Sequence, residues 1–345
     1  MREHGPLTER ERRVLEAVIE TYVQTAEPAA SRTVARRFGL GLSPASIRNT
    51  MSDLEEQGYV YHPHTSAGCI PTDRAYRLYV DSLMRPAPLS LSAASQLREE
   101  LGGGRAAVEE VLSRAAQVLG VLTSELGVAV RPSLDEAVLE RLELLRVASD
   151  RLLLVLRLHS GLMRTIFVEI ASHMAPDALV QVAVVLNERL GGLSLREIRA
   201  TLSERLRDAV SEAGSSELLN IFVQEADELF DVPAGAESRV VLGSTQPLAV
   251  QPEFQTKERL QGLLEVTERR DLLRQALAQR ATGLTITIGS EHTDPRLAPF
   301  TLITAAYRSG PLTGVIGVMG PTRMPYEKVV ALVDHTSRLV GELLR

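Results

Sequence analysis

Residues 43–57 combine side chains that can hydrogen-bond to nucleic-acid bases with a spacing that is typical of a helix. An α-helix turns by about 100° per residue, so positions 45, 48, 49 and 52 share one side, opposite the apolar positions 47, 51 and 54. Arginine can bind guanine, asparagine adenine and serine either base edge, while alanine can contact the methyl group of thymine. The pattern therefore predicts a helix that enters the major groove of DNA. Its candidate contact residues are Ser43, Ala45, Ser46, Arg48, Asn49 and Ser52.

An ordinary solvated helix face would show the same pattern, so the segment that follows has to decide between the two interpretations. Residues 59–61 and 69–70 are predicted strands, and the loop between them has the sequence HPHTSAG. Two strands joined by so short a polar loop form a β-hairpin. A hairpin directly after the helix favours DNA binding, with the hairpin as a wing beside the groove. The candidate contacts in this loop are His62, His64, Thr65 and Ser66.

The same loop suggests two other kinds of chemistry, because it also holds the single cysteine of the chain, Cys69. Two histidines and one cysteine lack the fourth ligand and the usual spacing of a structural zinc site. A catalytic thiol would need a histidine and an asparagine or aspartate beside it, and no local signature supplies them. We therefore expect neither a metal site nor a cysteine nucleophile.

A second motif, GVMGPTRMPYEKV at 317–329, is typical of a strand, a glycine turn and the start of a helix. Such a turn can bind an anion at the helix N-terminus. It lacks the spacing of a P-loop and of a dinucleotide-binding loop, so a plain connecting turn is favoured. The sequence also has no Gly-x-Ser-x-Gly or His-Glu-x-x-His motif. Since these motifs are absent, we expect that the protein has no cofactor and is not an enzyme.

The composition is that of a multidomain globular protein inside the cell. The chain has 345 residues, of which 44% are hydrophobic and 24% charged, which suits two or three domains. One cysteine excludes an internal disulfide and fits a reducing cytoplasm. The N-terminus has no signal-peptide core, and no apolar run is long enough for a membrane span. Residues 1–85 contain 11 arginines and 11 acidic residues, so the net charge of −6 comes from the rest of the chain.

The elements around the predicted DNA-binding helix form an N-terminal domain over residues 1–85. Residues 7–23 have helical spacing and a capping box of Thr8 and Glu11. Ser31 is predicted to cap a second helix that ends at Phe38. The helix at 43–57 then completes a helix-turn-helix, and Thr72 caps a further helix that follows the hairpin.

Beyond residue 85 the pattern predicts an α+β domain that is split by a helical insertion. A Pro- and Ser-rich linker occupies 86–105, a helix 106–126, and three strands with short turns 138–170. Residues 175–230 are helical, and strands return after 238 with helices at 256–281 and 326–344. The first inserted helix is apolar nearly all round, which predicts a surface for self-association. The candidate dimerisation residues are Leu179, Val180, Val184 and Leu186.

Several segments together resemble the HrcA family of heat-inducible transcription repressors. They are LTERERRVLEAVIETYV, the run from SRTVARRFGLGLSPASIRNTM to DRAYRLYVDSL, QPEF at 251–254 and GVIGVMGPTRMPYEKVVALVDHTSRLV. The resemblance spans nearly the whole chain. It implies a winged helix-turn-helix domain, a GAF-like antiparallel-sheet domain at 106–172 and 236–345, and an inserted helical dimerisation domain at 173–235. It further implies a homodimer that represses chaperone operons at the CIRCE inverted repeat in double-stranded DNA, with its activity maintained by the chaperonin GroEL.

The chain departs from the family pattern at two places. Cys69 stands where the family has an arginine in the wing, so one phosphate contact is expected to be missing. The turn before the second helix has alanines at 26, 29 and 30, where the family pattern includes two glycines. A different class of function remains open beside repression, namely a small-molecule sensor or an enzyme that uses the GAF-like domain.

Overall fold

A computed structural model of the chain divides into two compact units. The first unit comprises residues 1–130, 240–307 and 315–343, and the second comprises 131–239, 308–314 and 344–345. The structure describes residues 7–64, 67–85, 88–102, 108–132, 137–159, 163–170, 176–207, 216–224, 229–230, 240–278, 280, 283–309 and 312–344.

The first unit begins with three helices and a short hairpin, as the sequence predicts. Helix α1 has the predicted capping box, in which the Thr8 hydroxyl and the Glu11 side chain each bind the other residue's backbone N–H. Helix α2 differs slightly, because Ser31 is its first residue and Ala30 is the cap. The elements are α1 (Glu9–Thr25), α2 (Ser31–Phe38), α3 (Pro44–Glu56), β1 (Val60–Tyr61), β2 (Ile70–Pro71) and α4 (Asp73–Leu78), which continues as a π-helical turn over Tyr79–Leu83.

The predicted linker at 86–105 is a packed helix over much of its length. Helix α5 (Leu91–Leu101) is capped by Ser90, whose hydroxyl accepts a hydrogen bond from the Ala93 N–H. Its Leu97 and Leu101 are buried against the neighbouring helices, which holds the segment in place despite its prolines and serines. The expectation of a linker here is therefore wrong for residues 91–101.

A five-stranded sheet in the order β7-β3-β10-β9-β8 forms the centre of the first unit. Strand β3 was not predicted: the preceding helix ends at Thr123, and Leu126–Val130 form a buried strand between β7 and β10. Helix α6 packs on β3 and, in turn, on the C-terminal helix α13. The elements are α6 (Val108–Thr123), β3 (Leu126–Val130), β7 (Val240–Leu242), α10 (Gln246–Ala249), α11 (Lys257–Glu268), α12 (Arg270–Ala278), β8 (Leu284–Ile288), β9 (Phe300–Ser309), β10 (Leu312–Pro321) and α13 (Tyr326–Leu343).

The second unit has its own sheet, which corrects the predicted domain boundary at 172. Among the described residues, the three strands of the meander form one sheet in the order β4-β5-β6, and one face of this sheet is buried by the helical block. Because the connecting turns are short, each strand finds its partner next to it in sequence. The elements are β4 (Leu139–Ala148), β5 (Arg151–Leu158), β6 (Met163–Glu169), α7 (Pro176–Leu190), α8 (Leu195–Leu206) and α9 (Ser216–Gln224).

Helix α7 uses much of its apolar surface within its own unit. Leu179 and Leu186 belong to the core between this helix and the sheet, with 7% and 0% of their surfaces exposed. Val180 and Val184 face outward and are 64% and 50% exposed. Leu179 and Leu186 therefore do not form the predicted dimer surface, because the chain buries them itself. Within the described ranges, no helix is both long and apolar enough to span a bilayer.

The close packing of β3 on α6 gives a test of this fold. A Cβ at Gly127 would overlap the Ala116 carbonyl oxygen, so Gly127→Ala should destabilise the protein by about 1–3 kcal/mol, a typical cost of overpacking. Gly262 in α11 is the matched control, since a methyl group there meets no atom within 4 Å. Gly262→Ala should leave the protein as stable or raise its stability, because alanine favours helix. Calorimetric Tm values that fall equally for both variants would contradict this packing.

Candidate nucleic-acid interface

Helix α3 forms because its ends carry clear capping signals and its apolar residues lie on one side. The Ser43 hydroxyl accepts a hydrogen bond from the Ser46 N–H at 3.1 Å, and Pro44 occupies the first turn. The helix ends before Gly58, whose positive φ of 75° suits glycine. The side that faces α1 and α2 consists of Ile47, Thr50, Met51 and Leu54, each at most 2% exposed.

The opposite side of α3 presents the predicted short polar residues to solvent. Ser43, Ala45, Arg48, Asn49 and Ser52 are exposed, while Ser46 is half-buried. The structure therefore brings all six candidate residues of this helix to its N-terminal end and outer face. Acidic residues follow only in the last turns, so the N-terminal half is the part that an anionic backbone can approach. These acids are Asp53, Glu55 and Glu56.

Arg10 of α1 holds α3 from its buried side, a contact that the sequence analysis did not predict. Its guanidinium donates to the Thr50 hydroxyl at 2.8 Å and to the Ser46 carbonyl at 2.9 Å. At the other end of α3, the Gln57 amide donates to the Glu11 carboxylate at 2.8 Å. Both contacts join residues about 40 positions apart. Residue spacing in the sequence does not predict contacts between segments so far apart. These hydrogen bonds hold the backbone of α3 in one orientation relative to α1.

The hairpin is anchored to the turn that precedes α2. Strands β1 and β2 are antiparallel, and Cys69 forms a further bridge with Ala29, with N···O distances of 2.8 and 3.1 Å. Gly68 makes this approach possible, since a Cβ there would overlap the backbone of Ala29. The base of the hairpin is therefore held at a defined place beside the helices.

A row of three side chains crosses the base of the hairpin. The Glu55 carboxylate lies 2.8 Å from His62 Nδ1 and accepts a hydrogen bond from the His62 N–H at 2.9 Å. His62 Nε2 lies 3.2 Å from Cys69 Sγ. The row is satisfied if Nδ1–H donates to Glu55 and the thiol donates to Nε2. Both ring nitrogens of His62 are thus occupied within the chain, which is a different role from the predicted DNA contact.

The Cys69 thiol has neither the exposure nor the acidity of a nucleophile. Cys69 is fully buried, and burial together with the charge of Glu55 raises the pKa of its thiol to about 12. A reactive cysteine needs a lowered pKa and access to solvent. Position 69 does not face the solvent, so Cys69 is not placed to bind a phosphate. Among the described residues, no group of three histidines, cysteines or acids has the geometry of a metal site.

The remaining predicted wing residues are only partly described. His64 is exposed, and its carbonyl accepts a hydrogen bond from the Ala67 N–H at 3.0 Å. Thr65 and Ser66 lie outside the described residues. Three exposed arginines on α2 were not predicted as contacts, although their density in the sequence is a signal for a basic surface. They are Arg32, Arg36 and Arg37.

Helix α4 attaches these elements to the five-stranded sheet. Arg77 donates to both carboxylate oxygens of Glu291, at 2.7 and 2.5 Å, and to the Ile286 carbonyl at 2.8 Å. The Asp73 carboxylate accepts a hydrogen bond from the Ser290 N–H at 2.8 Å. Bidentate arginine pairs are strong and directional, so α4 is fixed to the end of β8.

The predicted connecting turn at 317–329 supplies a second attachment. β10 ends at Pro321 and α13 begins at Tyr326. Between them, Arg323 binds the two oxygens of Glu253 at 2.5 and 3.0 Å and donates to the Val23 carbonyl of α1 at 2.8 Å. Residues 251–254 and 314–340, which are the two C-terminal segments that resemble the HrcA family, thus meet at α1.

The comparisons with known proteins identify one family over nearly the whole chain. The family model described as HrcA protein C terminal domain matches residues 109–330. The heat-inducible transcription repressor HrcA of Chlorobium phaeobacteroides (strain BS1) is 38% identical over 341 residues, which cover 95% of this chain and 96% of that protein. The protein of the same name from Chlorobaculum tepidum is 38% identical over 351 residues and 98% of each chain. That from Chlorobium phaeovibrioides is 37% identical over 345 residues and 95% of each chain.

One solved structure, described as a hypothetical protein, covers 98% of this chain and 99% of its own with a TM-score of 0.62. At 22% identity, this likeness shows a shared fold and nothing more.

The buried thiol gives a test of the hairpin anchor. Because Cys69 is protonated and enclosed, iodoacetamide at pH 8 should label the native protein at least about 100-fold more slowly than the protein unfolded in guanidinium chloride. The label is unambiguous, since the chain has one cysteine. Mass spectrometry over time gives both rates. Similar rates in the two states would show that the Glu55, His62 and Cys69 row is open in solution.

Proposed function

The chain belongs to the HrcA family of heat-inducible transcription repressors, and we propose that it represses chaperone operons by placing α3 in the major groove of an inverted-repeat operator of the CIRCE type. The observation that supports this most is the outer face of α3, which is exposed, small and polar, and fixed from behind by Arg10. In this proposal, α1 to α4 with the hairpin are a winged helix-turn-helix.

Base recognition on this face falls to Arg48 and Asn49. A guanidinium can donate two hydrogen bonds to guanine, and a side-chain amide can both donate to and accept from adenine. Ala45 and Ser52 are small enough to let the helix approach the base edges, and Ala45 can contact a thymine methyl group. Ser43 and Ser46, at the helix N-terminus, are placed to bind a phosphate, where the helix dipole also favours an anion.

Phosphate contacts on either side of α3 would position it. The exposed arginines of α2 supply positive charge on one side, and His64, Thr65 and Ser66 of the hairpin loop supply polar groups on the other. Such contacts give affinity without reading sequence. They also explain how a chain with a net charge of −6 can bind DNA, since the charge that matters is local.

An inverted repeat is read by a twofold protein, so we propose a homodimer. The second unit supports this with two exposed apolar surfaces. One is formed by Val180 and Val184 on α7, and the other by Met163 and Phe167 on the open face of β6, which are 67% and 62% exposed. Apolar side chains that remain exposed in one chain are the usual material of an interface. The first surface retains two of the four residues predicted from the sequence.

The other parts of the proposal rest on family membership. The first unit beyond the DNA-binding elements would be the GAF-like domain, and residues 131–239 the inserted dimerisation domain. The protein would act in the cytoplasm without enzymatic activity, and the chaperonin GroEL would maintain its DNA-binding form.

Gel shifts with an inverted-repeat promoter fragment test the DNA-binding proposal. Arg48→Ala should weaken binding by on the order of 1–3 kcal/mol and relax the preference at one base pair in each half-site. Asn49→Ala should do the same at an adenine. Arg98→Ala is the matched control, because it removes an exposed arginine from α5 and should leave binding unchanged.

The same gel shifts, repeated with added chaperonin, should show a larger fraction of active protein. If Arg48→Ala binds as tightly as the parent across a salt series while folded and dimeric, α3 does not read the operator.

Sedimentation tests the dimer surface. Val180→Glu combined with Val184→Glu should shift the protein from dimer to monomer at micromolar concentration, since buried carboxylates without partners oppose association. Leu91→Glu, at a position that is 87% exposed on α5, is the control and should remain dimeric. A dimer that survives the α7 changes but dissociates on Met163→Glu with Phe167→Glu would place the interface on β6.

A further inference from the structure

A cavity of about 730 Å³ lies in the first unit, next to strand β8 and helix α12. It is separate from the face of α3 and from the hairpin in sequence and in lining residues. Its volume falls within the usual range of small-molecule sites. Its polar lining is unusual for such a cavity, because it is rich in cationic and hydroxyl groups. These include Arg274, Arg280, Thr285, Thr287, His292 and Thr293.

Arg280 is a buried cation that is held in a fixed position. Only 7% of its surface is exposed. Its Nε donates to the Ala276 carbonyl at 2.8 Å, Nη2 donates to the Thr287 hydroxyl, and Nη1 lies 3.4 Å from both the Leu302 carbonyl and the Thr304 hydroxyl. All these partners are neutral. No carboxylate among the described residues forms an ion pair with Arg280, and burial lowers its pKa only to about 10, so it stays charged at neutral pH.

The two acidic residues that line the cavity, Glu291 and Asp294, each form an ion pair with an arginine other than Arg280. Glu291 binds Arg77 of α4 through both carboxylate oxygens. Asp294 binds Arg296, with Oδ2 at 2.7 Å from Nη2. Arg274 adds a second cation to the lining, and its Nε is buried without a hydrogen-bond partner. The cavity therefore carries an excess of positive charge.

His292 adds a polar group that lacks a partner. Its Nε2 is buried and makes no hydrogen bond. Burial and the nearby charge of Arg280 lower the pKa of His292 to about 4, so the ring is neutral at pH 7. Thr285 and Thr287 line the same space, and the Thr287 hydroxyl, which accepts from Arg280, can still donate. The threonine hydroxyls can donate to an oxygen in this space, whereas His292 Nε2 is an acceptor, because the neutral ring donates its one N–H to the Phe300 backbone.

Charged side chains are rarely buried without a counter-charge, because desolvation of an unpaired ion is costly. In the part of the chain that the structure describes, the missing element beside Arg280 is an anion. We propose that this cavity binds a small molecule through a carboxylate or phosphate group that pairs with the Arg280 guanidinium.

The occupant is a small polar anion rather than a macromolecule. Arg280 lines the cavity with only 7% of its surface exposed, so a compact group can reach it more readily than an extended one, and a carboxylate or phosphate matches the spacing of the guanidinium donors. The hydroxyls of Thr285 and Thr287 can bind further oxygens of the same group. Glu291 at the rim also binds Arg77, so a molecule in the cavity lies one side chain away from α4.

Isothermal titration calorimetry of the full chain in chloride buffer at pH 7 tests this site, with inorganic phosphate and succinate as the two probes. At least one probe should bind saturably at one site per chain. Arg280→Met should weaken that binding by about tenfold or more, the loss expected for a buried charged hydrogen bond. Thr287→Val retains the cavity and removes one donor, so it should weaken binding severalfold even if Arg280→Met does not fold.

Two controls separate this site from other cationic surfaces. Arg48→Ala, on the proposed DNA-binding face, and Arg98→Ala, on α5, should both bind the probe as the parent does. Loss of binding in Arg48→Ala with none in Arg280→Met or Thr287→Val would overturn the proposal and place the anion on α3. Absence of saturable binding for both probes would overturn it as well. DNA is not used, so the result is independent of operator binding.

Discussion

The fixed position of α3 on α1 determines which of its side chains are free to bind another molecule. A helix can expose alanine, serine and asparagine on one whole face only if other contacts hold it in place. Here the buried side of α3 supplies four residues that are nearly or fully enclosed, and Arg10 adds hydrogen bonds to Thr50 and to the Ser46 carbonyl. The residues on the outer face are therefore not needed to hold the helix in place and are available to bind another molecule.

Similar contacts hold the hairpin, α4 and α1 in place within the first unit. The hairpin is held by the bridge between Cys69 and Ala29 and by the row of Glu55, His62 and Cys69. Arg77 then fixes α4 to Glu291, and Arg323 joins α1 to Glu253. The contacts of Ala29, Arg77 and Arg323 join segments that are far apart in sequence, whereas successive members of the row Glu55, His62 and Cys69 are seven positions apart. Helices α4 and α1 are therefore tied to the end of β8 and to the turn after β10.

Local features of the fold could be predicted from the sequence, and contacts between distant segments could not. The capping box of Thr8 and Glu11, the cap at Ser43 and the two sides of α3 depend on residues within a few positions of each other, and all three are confirmed. Strand β3 was missed because its apolar residues continue the helical pattern of α6. The burial of Cys69 could not be predicted because Cys69 pairs with Ala29, 40 positions earlier. The burial of Leu179 and Leu186 could not be predicted because these residues pack on a separate three-stranded sheet.

Site-specific photocrosslinking can show whether the outer face of α3 meets the DNA. A photoreactive residue at Ser52, on the outer face of α3, is compared with one at Val121, which is 65% exposed on α6. If α3 lies in the major groove of an inverted-repeat operator fragment, position 52 should crosslink to bases in both half-sites and position 121 should not crosslink. Crosslinks from position 121 with none from position 52, in protein that binds the fragment, would show that another surface meets the DNA.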